Sequence, residues 1–256
     1  MAPADLEAAL AGFSPISLDD LEERAALLRR VDRKYAVERD EFLELIERLR
    51  RNHQLLVIEG RREFGYRSVY FDTPDLRCFV DHVDDRLPRF KTRTRLYEDS
   101  GVCVFEVKLK RADGEMDKRQ VEHPPDRGHE LTERALRCVA GALADASLDR
   151  PERLEPTLVT TFTRITFAAD RTPERLTCDL GIALSSPTGA CARIKEGTVV
   201  VESKSEHGES AADDALERVG AEEVSLSKYR VGMSLVGGAP VEESQPGSEL
   251  FAVDGA

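Results

Sequence analysis

Alternating apolar and polar positions run through much of the chain and predict β-strands, because successive side chains of a strand point to opposite faces. The stretch FKTRTRLYEDSGVCVFEVKLKRADGEMDKR (90–119) predicts two strands joined by a turn, with another strand beginning near Lys118. Apolar side chains at Phe105, Val107 and Leu109 mark a strand face that packs into a core. Further strands are predicted over 29–37, 54–60, 66–75, 157–169, 175–185 and 197–205.

Apolar residues at helical spacing predict helices at three places between these strands. The first helix is capped by Asp40, since a short acidic side chain can accept a backbone N–H at a helix start. Its apolar stripe consists of Phe42, Leu45, Ile46 and Leu49. The second helix covers about 131–146, and the third covers about 210–219 and ends at Gly220. The segment 227–236 follows this last helix.

Strands therefore dominate, and the predicted fold class is α+β, mainly antiparallel β. A closed or nearly closed antiparallel barrel with flanking helices fits this order better than a doubly wound sheet. We expect an N-terminal arm with one short helix (1–29), one barrel domain (30–236) and a Gly/Pro/Ser-rich, disordered tail (237–256).

The composition of the chain limits the kinds of molecule that it can bind and indicates its cellular compartment. The 256 residues carry a net charge of −12, which argues against nucleic-acid binding because counterion release needs a basic surface. Five scattered cysteines without a CxxC pair suit a reducing compartment and do not indicate zinc or disulfides. No apolar run is long enough for a membrane helix, and the N-terminus does not resemble a secretory signal. We therefore expect a cytoplasmic protein, and the sequence does not indicate its oligomeric state.

Positive charge in this acidic chain is sorted onto strand faces, where positions two apart lie side by side. Seven segments combine Arg or Lys with a few carboxylates or threonines. They contain Arg30, Asp32 and Lys34; Lys91, Arg93 and Arg95; Glu106, Lys108 and Lys110; Lys118 and Arg119; Arg164; Arg175, Thr177 and Asp179; and Glu202 with Lys204. Charged strand faces usually lie in solvent, but repetition over seven segments favours faces that point into the barrel.

An inward-facing set of this kind requires a wet interior and an anionic ligand, because desolvating so many cations is too costly. Arginine forks and lysine point charges match phosphate oxygens. The carboxylates Glu106, Asp179 and Glu202 would repel such a ligand unless a hard divalent cation lay between them. Mg²⁺ or Mn²⁺, shared with phosphate oxygens, is the usual solution. The sequence therefore predicts a phosphate chain held with a metal inside a barrel.

An ordered series of motifs resembles the VTC-type polyphosphate polymerase domain, a relative of the CYTH phosphohydrolases among the triphosphate tunnel metalloenzymes. The motifs are DRKY, SVYFDTPD, KTRTRLY, FEVKLK, KR, TFTRITF, RLTCDL, VVESKS and SKYRVGM, and they span roughly residues 29–236. Each motif alone is weak, whereas the ordered set is specific.

The resemblance implies a closed, eight-stranded antiparallel tunnel that transfers the γ-phosphate of ATP onto a growing inorganic polyphosphate chain, with Mn²⁺ or Mg²⁺. By similarity, the phosphate ligands would be Lys34, Arg93, Arg95, Lys108, Lys118, Arg164, Arg175 and Lys228. Further cations on the same faces, assigned to nucleotide and phosphate binding, are Arg30, Lys91, Lys110 and Lys204. Glu202 would be the principal metal ligand, and Glu106 and Asp179 would be weaker candidates for metal binding or would hold nearby bases in place. Tyr35, Tyr70 and Phe71 would serve packing.

One departure bears on the reaction. CYTH hydrolases begin with an ExExK pattern, and the corresponding positions here are Arg30, Asp32 and Lys34. The lost carboxylate favours the polymerase over the first alternative, a hydrolase of triphosphates that would use the same residues with water as acceptor. A second alternative is a non-catalytic module that binds polyphosphate or nucleotide, and retention of Glu106, Asp179 and Glu202 argues for catalysis instead. Nothing in the sequence points to adenylate cyclisation.

Overall fold

The computed structural model describes residues 3–24, 31–239 and 244–254. The described helices are α1 (Pro3–Ala11), α2 (Leu18–Arg24), α3 (Arg39–Leu49), α4 (Arg77–Val83), α5 (Glu133–Ala144), α6 (Ala211–Arg218) and α7 (Lys228–Leu235). The described strands are β1 (Pro15–Ile16), β2 (Val31–Val37), β3 (His53–Leu56), β4 (Phe64–Asp72), β5 (Arg89–Tyr97), β6 (Val102–Lys110), β7 (Met116–Glu122), β8 (Glu155–Ala169), β9 (Arg175–Ser185), β10 (Cys191–Ile194), β11 (Val199–Ser205), β12 (Glu222–Glu223) and β13 (Phe251–Val253). The predicted class, α+β and mainly antiparallel β, is confirmed.

The chain divides into two compact units, each made of three chain segments. Unit 1 contains Met1–Phe64, Phe162–Gly181 and Ile194–Ser225. Unit 2 contains Gly65–Thr161, Ile182–Arg193 and Leu226–Ala256. The long strands β8 and β9 contribute residues to both units.

Unit 1 is built on the antiparallel strand order β12-β2-β11-β9-β8, with β3 paired to β8. One face of β11 is apolar, and Val199 and Val201 pack in a buried cluster with side chains of α3 and α6. The predicted stripe of α3 lies in this cluster. The cap of α3 is Glu38, not Asp40: Glu38 and Glu41 form a capping box, and Asp40 is already inside the first turn.

Unit 2 is built on the antiparallel order β4-β5-β6-β7, with the first part of β8 alongside β4. Phe105, Val107 and Leu109 are fully buried, as their alternation predicts. Helix α5 packs against β6 and β7, and Thr132 caps it by accepting a hydrogen bond from the backbone N–H of Ala135. The other face of β5 and β6 carries the charged side chains.

Several elements differ from the sequence prediction. The arm contains two helices instead of one: α2 is the helix expected after Ser17, whose hydroxyl oxygen accepts a hydrogen bond from the backbone N–H of Asp20, and α1 was not predicted. Helix α4 was not predicted, since its seven residues are too short for a period to show. The segment 227–236 contains the additional helix α7, capped by Ser227. In the region expected to be a tail, β13 pairs with β10 and buries Phe251. The predicted domain boundaries stay predictions.

The closed barrel is not confirmed. The paired strands follow the path β12-β2-β11-β9-β8-β4-β5-β6-β7, and over the described residues no ladder joins β7 to β12. Within the same residues, no helix is long and apolar enough to cross a membrane.

Candidate functional site

A buried carboxylate, Glu106, organises the charged face of unit 2. It lies on β6, directly opposite Arg93 of β5 and Gln120 of β7, and its side chain is 0% exposed. One oxygen, Oε2, accepts a hydrogen bond from Arg93 Nε at 2.5 Å. The other oxygen accepts from Gln120 Nε2 at 2.6 Å and lies 2.9 Å from Lys118 Nζ. Three side chains from two neighbouring strands therefore hold one anion.

Glu106 stays ionised because its neighbours outweigh the effect of burial. Burial alone would raise the pKa of this carboxyl, but Arg93, Arg95, Lys118 and Lys108 hold the pKa well below its usual range. The same pairing raises the pKa of Arg93 above the ordinary value for a guanidinium, despite burial. Glu106 therefore serves as a fixed counter-ion that holds the neighbouring bases in place, and its role as a metal ligand stays a prediction.

Positive charge exceeds negative charge on this face. Three consecutive cross-strand rows are Arg89–Lys110–Met116, Lys91–Lys108–Lys118 and Arg93–Glu106–Gln120, so six cations accompany one carboxylate. Asp85, from the segment before β5, pairs with Arg89 at 2.9 Å. Lys108 has no ion pair among the residues that the structure describes. Arg93 and burial lower the pKa of Lys108 well below its ordinary value, against the effect of Glu106.

Two more predicted ligands lie in unit 2. Arg95 continues the alternation of β5, and its Nε donates to Ser68 Oγ at 3.2 Å while its guanidinium lies over the ring of Tyr66. Lys228 is the first residue of α7, directly after the capping Ser227.

The charged face of unit 1 is balanced instead. Its cross-strand rows are Lys34–Glu202–Thr177, Asp32–Lys204–Arg175 and Ala36–Val200–Asp179, so three cations accompany three carboxylates. Lys204 Nζ lies 2.6 Å from Glu202 Oε1 and 3.7 Å from Asp32 Oδ2. Lys34 Nζ lies 4.0 Å from Glu202. Carboxylates therefore separate the lysines along and across these strands.

Arg164 and Asp179 form a two-point ion pair in unit 1. Arg164 Nε and Nη2 donate to the two oxygens of Asp179 at 2.6 and 2.8 Å. Arg175 Nη2 donates to the carbonyl oxygen of Leu21 at 3.3 Å. For Glu202, burial opposes ionisation, but Lys204, Lys34 and Arg164 hold its pKa well below the usual range.

The structure thus assembles the predicted residues in two sets. Unit 1 contains Lys34, Arg164, Arg175, Asp179, Glu202 and Lys204. Unit 2 contains Lys91, Arg93, Arg95, Glu106, Lys108, Lys110, Lys118 and Lys228. Arg30 lies outside the described residues. Their assignment as phosphate or metal ligands stays a prediction.

Sequence reasoning missed three polar residues of the unit 2 face. Arg89 lies two positions before Lys91, and Gln120 lies two positions after Lys118, so strict alternation would have found both. Tyr70 accepts a hydrogen bond from Arg93 Nη1 at 3.0 Å, which no local pattern indicates because the two residues lie on different strands.

The described residues do not form a metal cage of their own, since they contain no group of three or more His, Cys, Asp or Glu that could hold a metal ion. Asp179 is engaged at both oxygens by Arg164, and Glu106 is fully enclosed. Glu202 is the most accessible of the three predicted metal ligands, with 19% of its side chain exposed. The residues therefore fit a divalent cation only if phosphate oxygens complete its coordination.

Comparison of the sequence with known proteins identifies the family of the chain. The sequence matches the VTC domain over residues 29–236. The chain belongs to the VTC domain family. No curated protein matches the sequence.

Solved structures that resemble this VTC domain share little sequence with it. HpAC1 from Hippeastrum, described as having a dominant triphosphatase activity, is 14% identical with a TM-score of 0.51, and the match covers 80% of this chain and 94% of HpAC1. The PH1819 protein from Pyrococcus horikoshii OT3 is 13% identical over 80% of this chain and 96% of its own, with a TM-score of 0.44. The Pct1 RNA triphosphatase of S. pombe is 11% identical over 80% and 85%, with a TM-score of 0.28. The likeness to HpAC1 supports a shared fold.

Proposed function

We propose that this VTC domain is a metal-dependent phosphotransferase that moves the γ-phosphate of ATP onto a growing inorganic polyphosphate chain. The observation that carries the proposal is the excess of cations on the β5–β6–β7 face of unit 2, where six cations accompany one carboxylate over three cross-strand rows. Membership of the VTC domain family supports the same activity.

Like charges directly opposite each other destabilise a sheet, so a bound polyanion would stabilise this face by neutralising its positive charge. Phosphate oxygens can accept from Arg forks and Lys ammonium groups alike. Arg89 and Arg95 share the face and lie six residues apart, which corresponds to about 20 Å along a strand. That distance exceeds the reach of a triphosphate group and favours a longer phosphate chain as ligand.

The chemistry requires positioning and charge neutralisation, with no covalent intermediate on the protein. Arg93 and Arg95 present guanidinium N–H groups to phosphate oxygens, and Lys108 and Lys118 add point charges beside them. The attacking terminal phosphate is already anionic near neutral pH, so its activation needs no strong general base. Glu202 would hold Mn²⁺ or Mg²⁺ jointly with phosphate oxygens, and the bound ion would supply neutralisation of charge on the transferred group.

The test is ³¹P NMR of the purified protein with ATP and Mn²⁺, run beside Glu202→Gln. A growing mid-chain polyphosphate signal that Glu202→Gln abolishes is the expected result. Glu206→Gln is a matched control, because this carboxylate follows the same strand and is 61% exposed. Unchanged turnover in Glu202→Gln would contradict the metal assignment. An unchanged ATP spectrum accompanied by tight polyphosphate binding would indicate a binding module and contradict the proposed catalysis.

A triphosphatase is the second candidate, because water in place of the phosphate acceptor would use the same cations. The fold likeness to HpAC1, described as having a dominant triphosphatase activity, is the observation that favours it. Orthophosphate as the sole new ³¹P signal would select this candidate over the polymerase.

A further inference from the structure

A buried tyrosine pair in unit 2 contacts Arg93, the partner of Glu106. The rings of Tyr70 and Tyr229 are stacked, with centroids 4.9 Å apart and an interplanar angle of 27°. Tyr70 is 7% exposed and Tyr229 is 1% exposed. The Tyr70 hydroxyl accepts a hydrogen bond from Arg93 Nη1 at 3.0 Å, and the Arg93 guanidinium lies 5.7 Å from the centre of the same ring.

The other end of the pair is fixed by a buried carboxylate. The Tyr229 hydroxyl donates to Asp72 Oδ2. Asp72 also accepts backbone N–H groups from Thr73, Cys78 and Phe79 at 2.7–2.9 Å, so it ties β4 to the first turn of α4. Burial and Asp72 raise the pKa of Tyr229 well above its ordinary value, which keeps the phenol protonated as a donor. The Tyr70 ring therefore rests on a partner that cannot easily move.

These contacts determine how Arg93 can meet a ligand. A guanidinium has five N–H groups. Nε donates to Glu106, Nη2 lies 2.5 Å from the same carboxylate oxygen, and Nη1 donates to Tyr70. Among the described residues, one N–H group on each terminal nitrogen remains available. With Glu106 on one side and Tyr70 on the other, the plane of the guanidinium is set before any phosphate arrives.

We propose that Tyr70 is a positioning residue that orients Arg93 for phosphate binding. It was expected to serve packing alone, but its hydroxyl makes a contact that packing does not require. Holding a charged fork in its binding geometry saves the cost of ordering it on association. Tyr229 directly follows Lys228, a second predicted phosphate ligand, at the start of α7. The stack of Tyr229 on Tyr70 therefore also anchors the start of that helix. The inference rests on the proposed phosphate-binding function of Arg93.

Tyr70→Phe tests this role, because it keeps the ring and its stack and removes only the hydroxyl. We expect the affinity for inorganic tripolyphosphate, measured by titration calorimetry, to fall about tenfold, as for loss of a charge-assisted hydrogen bond. In turnover assays, the loss should be concentrated in KM for ATP, with little change in kcat. Tyr97→Phe is a matched control on β5, because its ring contacts Tyr66 and its hydroxyl has no hydrogen bond among the described residues.

A double-mutant cycle separates positioning from a general loss of packing. In an Arg93→Lys background the fork is already gone, so Tyr70→Phe should weaken binding by less than twofold. An additive, full-sized effect in that background would overturn the inference. A spectroscopic measurement on the wild-type protein gives an independent test should Tyr70→Phe fail to fold. The ¹⁵N resonances of the Arg93 guanidinium should show hindered rotation before ligand is added, and free rotation would contradict positioning by Tyr70.

Failure of this inference differs from failure of the proposed function. If Arg93→Ala leaves tripolyphosphate affinity unchanged, Arg93 is not a phosphate ligand and the proposed function loses its main support. If Arg93→Ala weakens binding while Tyr70→Phe binds like the wild type, phosphate binding stands and the role of Tyr70 is wrong.

Discussion

The charged strand faces of the two units use the same residue types in different proportions. In unit 1, the rows across β2, β11 and β9 contain three cations and three carboxylates. In unit 2, the rows across β5, β6 and β7 contain six cations and one carboxylate. The face of unit 1 is close to neutral without a ligand. Within its three rows, the face of unit 2 has one negative charge, that of Glu106.

The difference separates two ways of holding cations on a sheet. In unit 1 each lysine has a carboxylate opposite it, so the fold itself supplies the compensation: Lys34 faces Glu202, and Lys204 faces Asp32. In unit 2 the three rows contain one carboxylate, Glu106, and Asp85 outside them pairs with Arg89, so most of their positive charge is not balanced by a carboxylate opposite it. The proposed polyanion binding therefore depends mainly on the cations of unit 2, while two of the three carboxylates proposed to share a metal with phosphate, Asp179 and Glu202, lie in unit 1.

Removing Glu106 should have the largest effect on stability. Glu106→Gln leaves Arg93 and Lys118 without their buried counter-ion, and breaking a buried pair by removing one partner costs about 3–5 kcal/mol of unfolding free energy. Urea unfolding measures the loss. Inorganic tripolyphosphate should restore more stability in this variant than in the wild type, because it replaces the missing negative charge.

Glu98→Gln is the matched control for Glu106→Gln. Glu98 also accepts from an arginine, Arg67 Nε at 3.1 Å, but both side chains are 40% or more exposed. A surface pair of this kind contributes about 0–1 kcal/mol. If Glu106→Gln lost no more stability than Glu98→Gln, the description of Glu106 as the central counter-ion would be wrong.

The sequence predicted the charged faces well, because a period of two is enough to assign residues to faces. The alternation Lys91, Arg93, Arg95 and the apolar alternation Phe105, Val107, Leu109 both hold in the structure. The bounds of β9, 175–185, are those predicted. What alternation cannot give is the pairing of strands, and pairing decides which carboxylate compensates which cation.

The role of Glu106 shows this limit. From sequence, Glu106, Asp179 and Glu202 look alike, as single carboxylates among cations on strands. Only the register places Glu106 between Arg93 and Gln120, and only its complete burial distinguishes it from Glu202, which is partly exposed. Tyr70 was missed for the same reason, since its contact with Arg93 joins β4 to β5. Helices α4 and α7 were missed because they are too short for a helical period to show, and the contact between Asp72 and Tyr229 that fixes them forms only in the folded chain.

Acidification should destabilise both units through one histidine in each, His53, which is buried, and His82, which is partly buried. Burial lowers the pKa of His53 in unit 1 to about 4, and burial with Lys91, Arg89, Arg230 and Lys110 lowers the pKa of His82 in unit 2 to about 3. Both folded-state values lie below the unfolded value of about 6.5, so the unfolded chain binds more protons at low pH. Stability is therefore complete above pH 6.5 and falls as the pH approaches these values.

The expected loss for His53 is on the order of 3 kcal/mol once the pH is below 4, because one unit of pKa corresponds to about 1.4 kcal/mol. Urea unfolding at pH 7, 5.5 and 4.5 checks it. His53→Gln should flatten the profile over this range, while His207→Gln, a change at a side chain 82% exposed, should leave the profile as in the wild type. A profile for His53→Gln as steep as that of the wild type would contradict the burial of a neutral His53.

Replacement of a lysine by methionine should have opposite effects on stability in the two units. Lys108→Met removes one of several like charges in unit 2, so the ligand-free protein should gain about 1 kcal/mol of unfolding free energy while its affinity for tripolyphosphate falls about tenfold. Lys204→Met removes the lysine that lies 2.6 Å from Glu202 and 3.7 Å from Asp32, so unfolding free energy should fall by about 1–3 kcal/mol. Methionine keeps the length of the side chain in both cases. If the unfolding free energy changed in the same direction in both variants, the contrast between a balanced face and a cation-rich face would be wrong.

The smallest expected effect is a change in the titration of His82 when a polyanion binds. Four cations, Lys91, Arg89, Arg230 and Lys110, contribute to its low pKa, and phosphate bound among them would offset their repulsion of the imidazolium. The pKa of His82, followed by NMR of its ring protons in acid, should therefore rise when tripolyphosphate is added. The pKa of His53 should not change, because burial is the main cause of its low value and no cation contributes to that value. An equal shift at both histidines would indicate a general effect of the added anion, whereas a shift at His82 alone would place the ligand on the cation-rich face of unit 2.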